Sequence, residues 1–178
     1  MDDVRREVRQ SSKSFMEQMK ADPPLRIPGS AVVLGRMATG VPLALTHNLK
    51  CNHVLHQRVF LVAVEMMERP RVSDEDRVAV TPISDCLTRV ELRFGLMEEP
   101  DVPMGLAVAA ARGQIAEDEL EPVTYTGHET VIPTGVRSGM ASWRKALLAF
   151  MHHNAQRPGA YFKIPNAQIV EIGIEFPI

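Results

Sequence analysis

The stretch VFLVAVEMM, residues 59–67, carries eight apolar residues around a single charge, Glu65. It is shorter than a typical buried helix and rich in valine. Short apolar runs of this kind are typical of strands whose two faces are both buried. We therefore predict a central strand with a packed layer above it and another below it.

Strand and helix patterns alternate on either side of this stretch. A short β-branched run between glycines at 31–34 predicts a neighbouring strand, and Pro42 suits the first turn of the helix that follows. Further along, Val90, Leu92 and Phe94 alternate with charged residues. This alternation predicts a strand with one buried face and one solvent-exposed face.

The remaining elements complete a mixed arrangement. We predict a leading helix at 2–20, a hairpin at 77–83 and 87–95, a helix from Asp101 to Gly113, a helix from Ser138, and strands at 125–132 and 170–176. Hairpin arms beside strand-to-helix connections favour an α+β fold over a doubly wound parallel sheet. The expected architecture is a mixed β-sheet of five or six strands with about three helices packed on it.

Length and composition predict one soluble globular domain. The 178 residues are 45% hydrophobic, 24% charged and 5% aromatic, with a net charge of -2. The chain has neither a net positive charge nor many aromatic side chains on which bases could stack, so we expect no nucleic-acid partner. Two cysteines favour a reducing compartment such as the cytoplasm. The charged N-terminus is not a signal peptide, and no apolar run approaches the roughly 18 to 20 residues of a membrane helix.

The stretch THNLKCNHVLHQ, residues 46–57, contains three of the six histidines and one of the two cysteines. On a single helix, His47 and Cys51 share one face, while His53 and His56 share another that lies roughly 120 to 180° away. If the helix ends earlier, His53 and His56 point to opposite faces of an extended segment. In either case the candidate ligands point in different directions. We therefore expect no metal site and favour hydrogen bonds from His47 and His56 to nearby backbone.

Motifs of enzymatic chemistry are missing from the sequence. It has no Gly-rich phosphate loop and no nucleophile elbow. Glu98, Glu99 and Asp101 precede a predicted helix, where carboxylates more often serve the helix dipole and cap than acid/base catalysis. Cys86 lies in a predicted turn with no histidine nearby in sequence. We therefore expect neither a catalytic site nor a cofactor.

Six segments, read together and in order, carry a resemblance to a known family. They are RIPGSAVVL (26–34), GVPLALTHNLKCNHVLHQRV (40–59), RFGLMEEPDVP (93–103), GHETVIP (127–133), SGMASWRKALLAFMHHNA (138–155) and YFKIPNAQIVEIG (161–173). Together they resemble the cytoplasmic C-terminal region of the KUP/HAK/KT potassium uptake transporters. The resemblance assigns residues 26–178 to that cytosolic domain and residues 1–25 to a leading helix that connects to the membrane part.

This resemblance implies a cytosolic regulatory or assembly domain of a protein that imports K+ together with a proton. Transport is implied to reside in membrane helices that the 178 residues do not include, so no K+ ligand is carried over. The implied location is the cytoplasmic face of the inner membrane, with the fragment itself soluble. The implied partners are the membrane portion of the same transporter and a second copy in a homodimer.

The resemblance also selects candidate site residues. Four residues match the family pattern: His47, Asn48, Lys50 and His56. Cys51 and His53 stand where the family has histidine and lysine, which weakens the metal interpretation further. The alternative function that the resemblance implies is a sensor that binds a nucleotide or cyclic dinucleotide. The candidate residues suit such a ligand, because lysine balances phosphate charge and histidine donates to it. A nucleotide cyclase-type enzyme is less favoured, since no paired-carboxylate metal site is apparent.

Two surfaces are candidates for the homodimer contact. One is the sparse apolar stripe of the leading helix, Phe15, Met16 and Met19. We expect this helix to be mostly exposed, and either to dock only weakly or to serve as a connector. The other is the edge of the last strand near Ile174 and Phe176, whose unpaired backbone would extend a partner's sheet. The alternative is that the helix packs on its own domain and a loop covers the strand edge.

Overall fold

The computed structural model describes residues 12–35, 40–116, 123–132, 161–165 and 168–177. In these ranges the helices are α1 (Ser12–Ala21), α2 (Leu43–Asn52), the single turn α3 (Asp74–Arg77) and α4 (Val102–Ala111). The strands are β1 (Leu25–Gly35), β2 (Val54–Met67), β3 (Val78–Ser84), β4 (Leu87–Gly95), β5 (Val123–Ile132) and β6 (Ile169–Pro177). The helix predicted from Ser138 lies outside the described residues.

All six strands belong to one sheet, in the order β3-β4-β2-β1-β5-β6. Only β3 is antiparallel to its neighbour, and the other pairs are parallel. The predicted mixed α+β sheet is confirmed. More of the strand pairs are parallel than the predicted hairpin suggested. β3 reverses the direction of the chain at the edge of the sheet, so that β4, which follows it, runs parallel to β2.

The apolar stretch at 59–67 forms most of β2, which pairs with β1 on one side and β4 on the other. Its residues alternate between two separate clusters. Leu61 joins the core under α1 and α2, whereas Phe60 and Val62 join the core under α4. The prediction of a strand buried on both faces is confirmed.

Helix α1 is an integral part of the core. Phe15 is fully buried and Met19 nearly so, and both pack in the cluster formed by α2 and the adjoining sheet face. The prediction of a mostly exposed helix is confirmed, since most of the described side chains of α1 are exposed. The expectation that its sparse apolar positions dock only weakly was wrong, because these residues are large and fall on one face. The apolar stripe of the helix packs on its own domain, which was the alternative to a dimer contact through this stripe. No helix in the described ranges is both long and apolar enough to cross a membrane.

Candidate functional site

The predicted site residues surround the point where α2 ends and β2 begins. Asn48 is buried and ties these two elements together. Its side-chain nitrogen donates to the Val54 carbonyl oxygen at 3.3 Å, and its side-chain oxygen accepts from the Asn52 amide at 2.8 Å. The last turn of a helix has backbone groups without a hydrogen-bond partner inside the helix, and side-chain bonds nearby can hold the chain there. The two bonds of Asn48 therefore fix the path of the chain as it leaves α2. The role of Asn48 seen here is structural.

His53 ends α2 in the left-handed conformation, with φ 52° and ψ 26°. Its N–H donates to the Leu49 carbonyl at 3.0 Å, and its own carbonyl accepts from the Leu25 N–H at 3.0 Å. A left-handed residue is a common helix terminator, and histidine is one of the few side chains enriched there. His53 therefore joins the end of α2 to the start of β1 through its backbone.

His56 is only 8% exposed, and its ring meets the Tyr125 ring edge-on with 5.8 Å between centroids. Burial lowers the pKa of His56, so its imidazole is neutral near pH 7. Its carbonyl accepts from the Arg26 guanidinium at 3.2 Å, and the same guanidinium lies 3.4 Å from Cys86 Sγ. A buried, neutral imidazole is a weak partner for a phosphate.

The four predicted residues differ in their exposure to solvent. Lys50 is exposed and His47 half-buried, whereas Asn48 and His56 are buried. Among the residues that the structure describes, no group of three or more His, Cys, Asp or Glu side chains is arranged to hold a metal ion. A shared ligand contact at this junction stays a prediction.

The carboxyl ends of the parallel strands form a second region of interest, which we call the carboxyl edge. From β1 the chain adds β2 and β4 on one side and then β5 and β6 on the other, so the winding direction reverses between β1 and β5. Gly35 ends β1 there, and a Cβ on it would lie 2.8 Å from the Pro42 ring at the start of α2. Ligands of open parallel sheets bind outside the carboxyl ends at such a reversal.

Farther along the carboxyl edge lies a buried ion pair. Arg77 is 6% exposed, and its Nη2 donates to Glu98 and to the Val72 carbonyl, each at 2.8 Å. Its Nε donates to Asp74 at 3.1 Å, and its guanidinium lies 5.4 Å from the centre of the Phe94 ring. The pair links the segment after β2 to the segment after β4.

The other oxygen of Glu98 is also occupied. It accepts from the Gly95 N–H at 2.7 Å and from the Val72 N–H at 3.1 Å. The Arg77 hydrogen bond, followed by that of Gly95, lowers the pKa of Glu98 to about 2. A carboxylate held this firmly in its ionised form is unsuited to proton transfer near pH 7.

Sequence reasoning assigned this carboxylate to the start of α4 and missed its actual partner. The cap prediction is confirmed for Asp101, which accepts from the Met104 N–H at 2.8 Å. Glu99 instead pairs with Lys163 at 2.8 Å on the surface. Glu98 binds an arginine 21 positions away. The only available signal was an arginine directly before β3.

Comparison with known proteins adds a family match. A family model described as the K+ potassium transporter C-terminal domain matches residues 28–178. The chain is 40% identical over 176 residues to the probable potassium transport system protein Kup 3 of Bradyrhizobium diazoefficiens, covering 98% of the chain and 28% of that protein. It is 42% identical over 153 residues to probable Kup of Myxococcus xanthus, covering 86% and 23%.

The probable Kup protein of Xylella fastidiosa is 39% identical over 165 residues, covering 93% of the chain and 26% of that protein. The chain thus spans about a quarter of the length of the curated relatives it matches. No solved structure matches it significantly.

Proposed function

Since the chain belongs to the family of K+ potassium transporter C-terminal domains, we propose that it is the cytosolic regulatory and assembly domain of a K+ uptake protein of the proton-symport type. What carries the proposal is that nearly the whole chain matches potassium transport system proteins while spanning only about a quarter of their length. In this proposal transport belongs to the membrane portion, and the domain lies at the cytoplasmic face of the inner membrane.

A role in regulation rather than in turnover fits the chemistry of the described residues. Both oxygens of the half-buried carboxylate Glu98 are engaged by Arg77 and by backbone N–H groups. His56, the most buried of the candidate site residues after Asn48, is packed against Tyr125. Neither side chain is a free acid or base with the tuned pKa that catalysis uses. We propose that the domain is not an enzyme.

Assembly is proposed to involve a homodimer through β6. This strand ends the sheet, with β5 as its neighbour on the other side, and its residue Val170 is exposed. The outer backbone groups of an edge strand are free to extend the sheet of another copy. The stripe of α1, the other candidate surface, is less suited to this role because Phe15 and Met19 lie in the core.

The proposal is tested in a full-length transporter that contains this domain, expressed in a host that lacks its own K+ uptake. We expect deletion of the domain to leave the protein in the membrane but to change the K+ uptake rate by about fivefold or more, the usual lower range of coupling between sites. Cross-linking should also recover less dimer from the deletion variant. Unchanged uptake together with an unchanged dimer yield would refute both the regulatory and the assembly role.

A nucleotide or cyclic dinucleotide sensor is the second candidate function. The observation that favours it is the reversal of winding between β1 and β5, because nucleotides bind at this position in many open parallel sheets. The competing location is the junction around Lys50 and His56. The two locations lie at opposite ends of α2, so an experiment can distinguish them.

Calorimetry with adenine nucleotides and cyclic dinucleotides, followed by hydrogen exchange on the bound form, tests this candidate. We expect binding without turnover. Ligand-dependent protection at residues 40–46 would support the carboxyl edge, and protection centred on residues 47–56 would support the junction. The absence of binding across the panel would exclude the sensor function, and product formation from ATP would overturn the proposal that the domain is not an enzyme.

A further inference from the structure

The junction between β1 and β5 is much shorter than the other strand junctions of the sheet. Among the described residues, these two strands pair only at positions 31–33 of β1 and 123–125 of β5. By contrast, β1 pairs with β2 along almost its whole length, and β5 pairs with β6 in the same way. Local opening follows the elements that share the fewest hydrogen bonds, so the sheet separates most easily here. We call this junction the seam.

Two aromatic side chains meet across the seam. His56 lies on β2 and Tyr125 on β5, and β1 lies between these two strands. The two rings meet edge-on, with 5.8 Å between their centroids, and both side chains are buried. Their contact therefore joins β5 to the strand beyond its own neighbour, at the place where the backbone pairing is shortest.

The surroundings of His56 favour the neutral imidazole. Burial lowers the pKa of His56, and no carboxylate of the described residues acts against this shift. The ring that faces it from β5 is that of Tyr125, whose pKa is raised by burial, so its hydroxyl is uncharged near pH 7. On α2, the side chain at the junction is the neutral Asn48, and the charged Lys50 is exposed.

The charged group closest to His56 on β1 is a cation. The Arg26 guanidinium donates to the His56 carbonyl at 3.2 Å and lies 3.4 Å from Cys86 Sγ in the turn before β4. The acid of that turn, Asp85, is exposed. A proton on the His56 ring therefore adds a second positive charge near Arg26 in a buried position, which burial and like charge both disfavour.

We propose that the seam is a pH-sensitive joint, at which acidification separates β5 and β6 from the rest of the sheet through protonation of His56. The protonated imidazole needs water around it, so it leaves the Tyr125 ring, and the short pairing of β1 with β5 opens. Loss of the proton closes the seam again. The change is reversible because it breaks no covalent bond.

The sign of the pH dependence follows from the direction of the pKa shift. A histidine whose pKa is lowered in the closed form binds its proton more tightly when the seam is open. The closed seam is therefore fully stable above the ordinary pKa of 6.5 and loses stability as the pH falls below it. Glu98 contributes nothing in this range, because its pKa is about 2 in the folded domain and 4.5 ordinarily.

Opening of the seam acts on the edge that is proposed for assembly. In the described part of the sheet, β6 is attached through β5 alone, so it moves with β5. This consequence rests on the proposed function. In the transporter, cytosolic acidification then weakens the contact between two copies and slows an import that itself brings protons into the cell.

Hydrogen exchange of the 178-residue chain, corrected for the intrinsic effect of pH, tests the joint. We expect the protection of residues 123–126 to fall by about threefold or more between about pH 7.5 and about pH 5.5. The protection of residues 60–64, in the middle of β2, should stay constant. His56→Phe keeps a ring against Tyr125 but takes up no proton, so it should abolish the fall.

A titration of the unmodified chain gives a second readout that needs no variant. The NMR signals of the His56 ring should titrate with a pKa below the ordinary 6.5. His53→Asn is the matched control for the variant, because His53 is an exposed histidine three positions away and asparagine tolerates its left-handed conformation. This control should keep the full fall in protection at residues 123–126.

Three results would each overturn the proposal: a pKa of His56 at or above 6.5, a fall in protection that persists in His56→Phe, or an equal fall at residues 60–64. None of them bears on the dependence of K+ uptake on the domain. That dependence is measured by deletion in the full-length transporter, so the two proposals can fail separately.

Discussion

Replacement of Glu98 by alanine should destabilise the domain by about 3 kcal/mol, the scale expected when one partner of a buried ion pair is removed. Glu98 accepts hydrogen bonds from Arg77 and from the N–H groups of Gly95 and Val72. Without it, the buried Arg77 guanidinium keeps only the Val72 carbonyl and the exposed carboxylate of Asp74 as hydrogen-bond partners. Urea unfolding at neutral pH measures the loss.

The adjacent residue provides the control. Glu99→Ala makes the same change in side chain and charge one position away, at a surface pair with Lys163. Ion pairs between exposed side chains contribute little to stability, so the midpoint of unfolding should barely move. Equal losses in the two variants would mean that general charge, and not the buried pair, sets the stability of this region.

Glu98 also predicts a pH dependence with a definite sign. Its pKa in the folded domain is about 2, below the ordinary value of 4.5. A carboxyl group with a lowered folded pKa contributes its full stabilisation above the unfolded pKa and loses it as the pH falls toward the folded pKa. The unmodified domain should therefore lose stability between about pH 4.5 and 2, and Glu98→Gln should remove this share of the loss. A parallel decline in both proteins would contradict the assignment.

Elements whose signals are local could be predicted from the sequence. The stretch at 59–67 indicated its own burial on both faces, because it is short, rich in valine and interrupted by a single charge. The hairpin partners lie within a few residues of each other, and Asp101 caps α4 through the N–H of Met104, three positions away. Each of these features depends on neighbours along the chain, and each appears in the structure.

Features that depend on distant partners could not be predicted in the same way. Arg77 and Glu98 are each ordinary charged residues in sequence, and only the packing of two segments on one another makes them a pair. Phe15 lies in a helix with few apolar residues, so its pattern was weak although its burial is complete. The placement of β5 beside β1 depends on the whole sheet, and no local pattern records it.

The candidate site illustrates the same limit. His47 and Lys50 were grouped with Asn48 because all three match the family pattern, but the turn of α2 directs Asn48 into the junction and leaves Lys50 exposed. The pattern of residues therefore found the junction without distinguishing contacts that hold the fold from contacts that remain free. To make that distinction one must know which groups each side chain contacts, and the structure provides this.

Gly95→Ala is the second substitution expected to have a large effect. A Cβ at this position would lie 2.3 Å from the Pro70 carbonyl oxygen and 2.6 Å from the Arg71 Cα. Both are backbone atoms, held in place because Leu96 N–H and Met97 N–H donate to the carbonyls of Arg69 and Pro70. Since neither segment can move without losing these bonds, we expect a loss of about 3 kcal/mol, at the upper end of overpacking costs.

Gly105→Ala in α4 is the matched control, because its Cβ would also be crowded but by a different kind of atom. The nearest atoms, at 2.8 Å, are the two terminal methyl groups of Leu92, which a change of rotamer can displace. Alanine also favours the helix over glycine by roughly 1 kcal/mol, which offsets part of the crowding. Urea unfolding of both variants should therefore separate them clearly. Equal destabilisation would show that the backbone contact between Gly95 and the segment after β2 can relax.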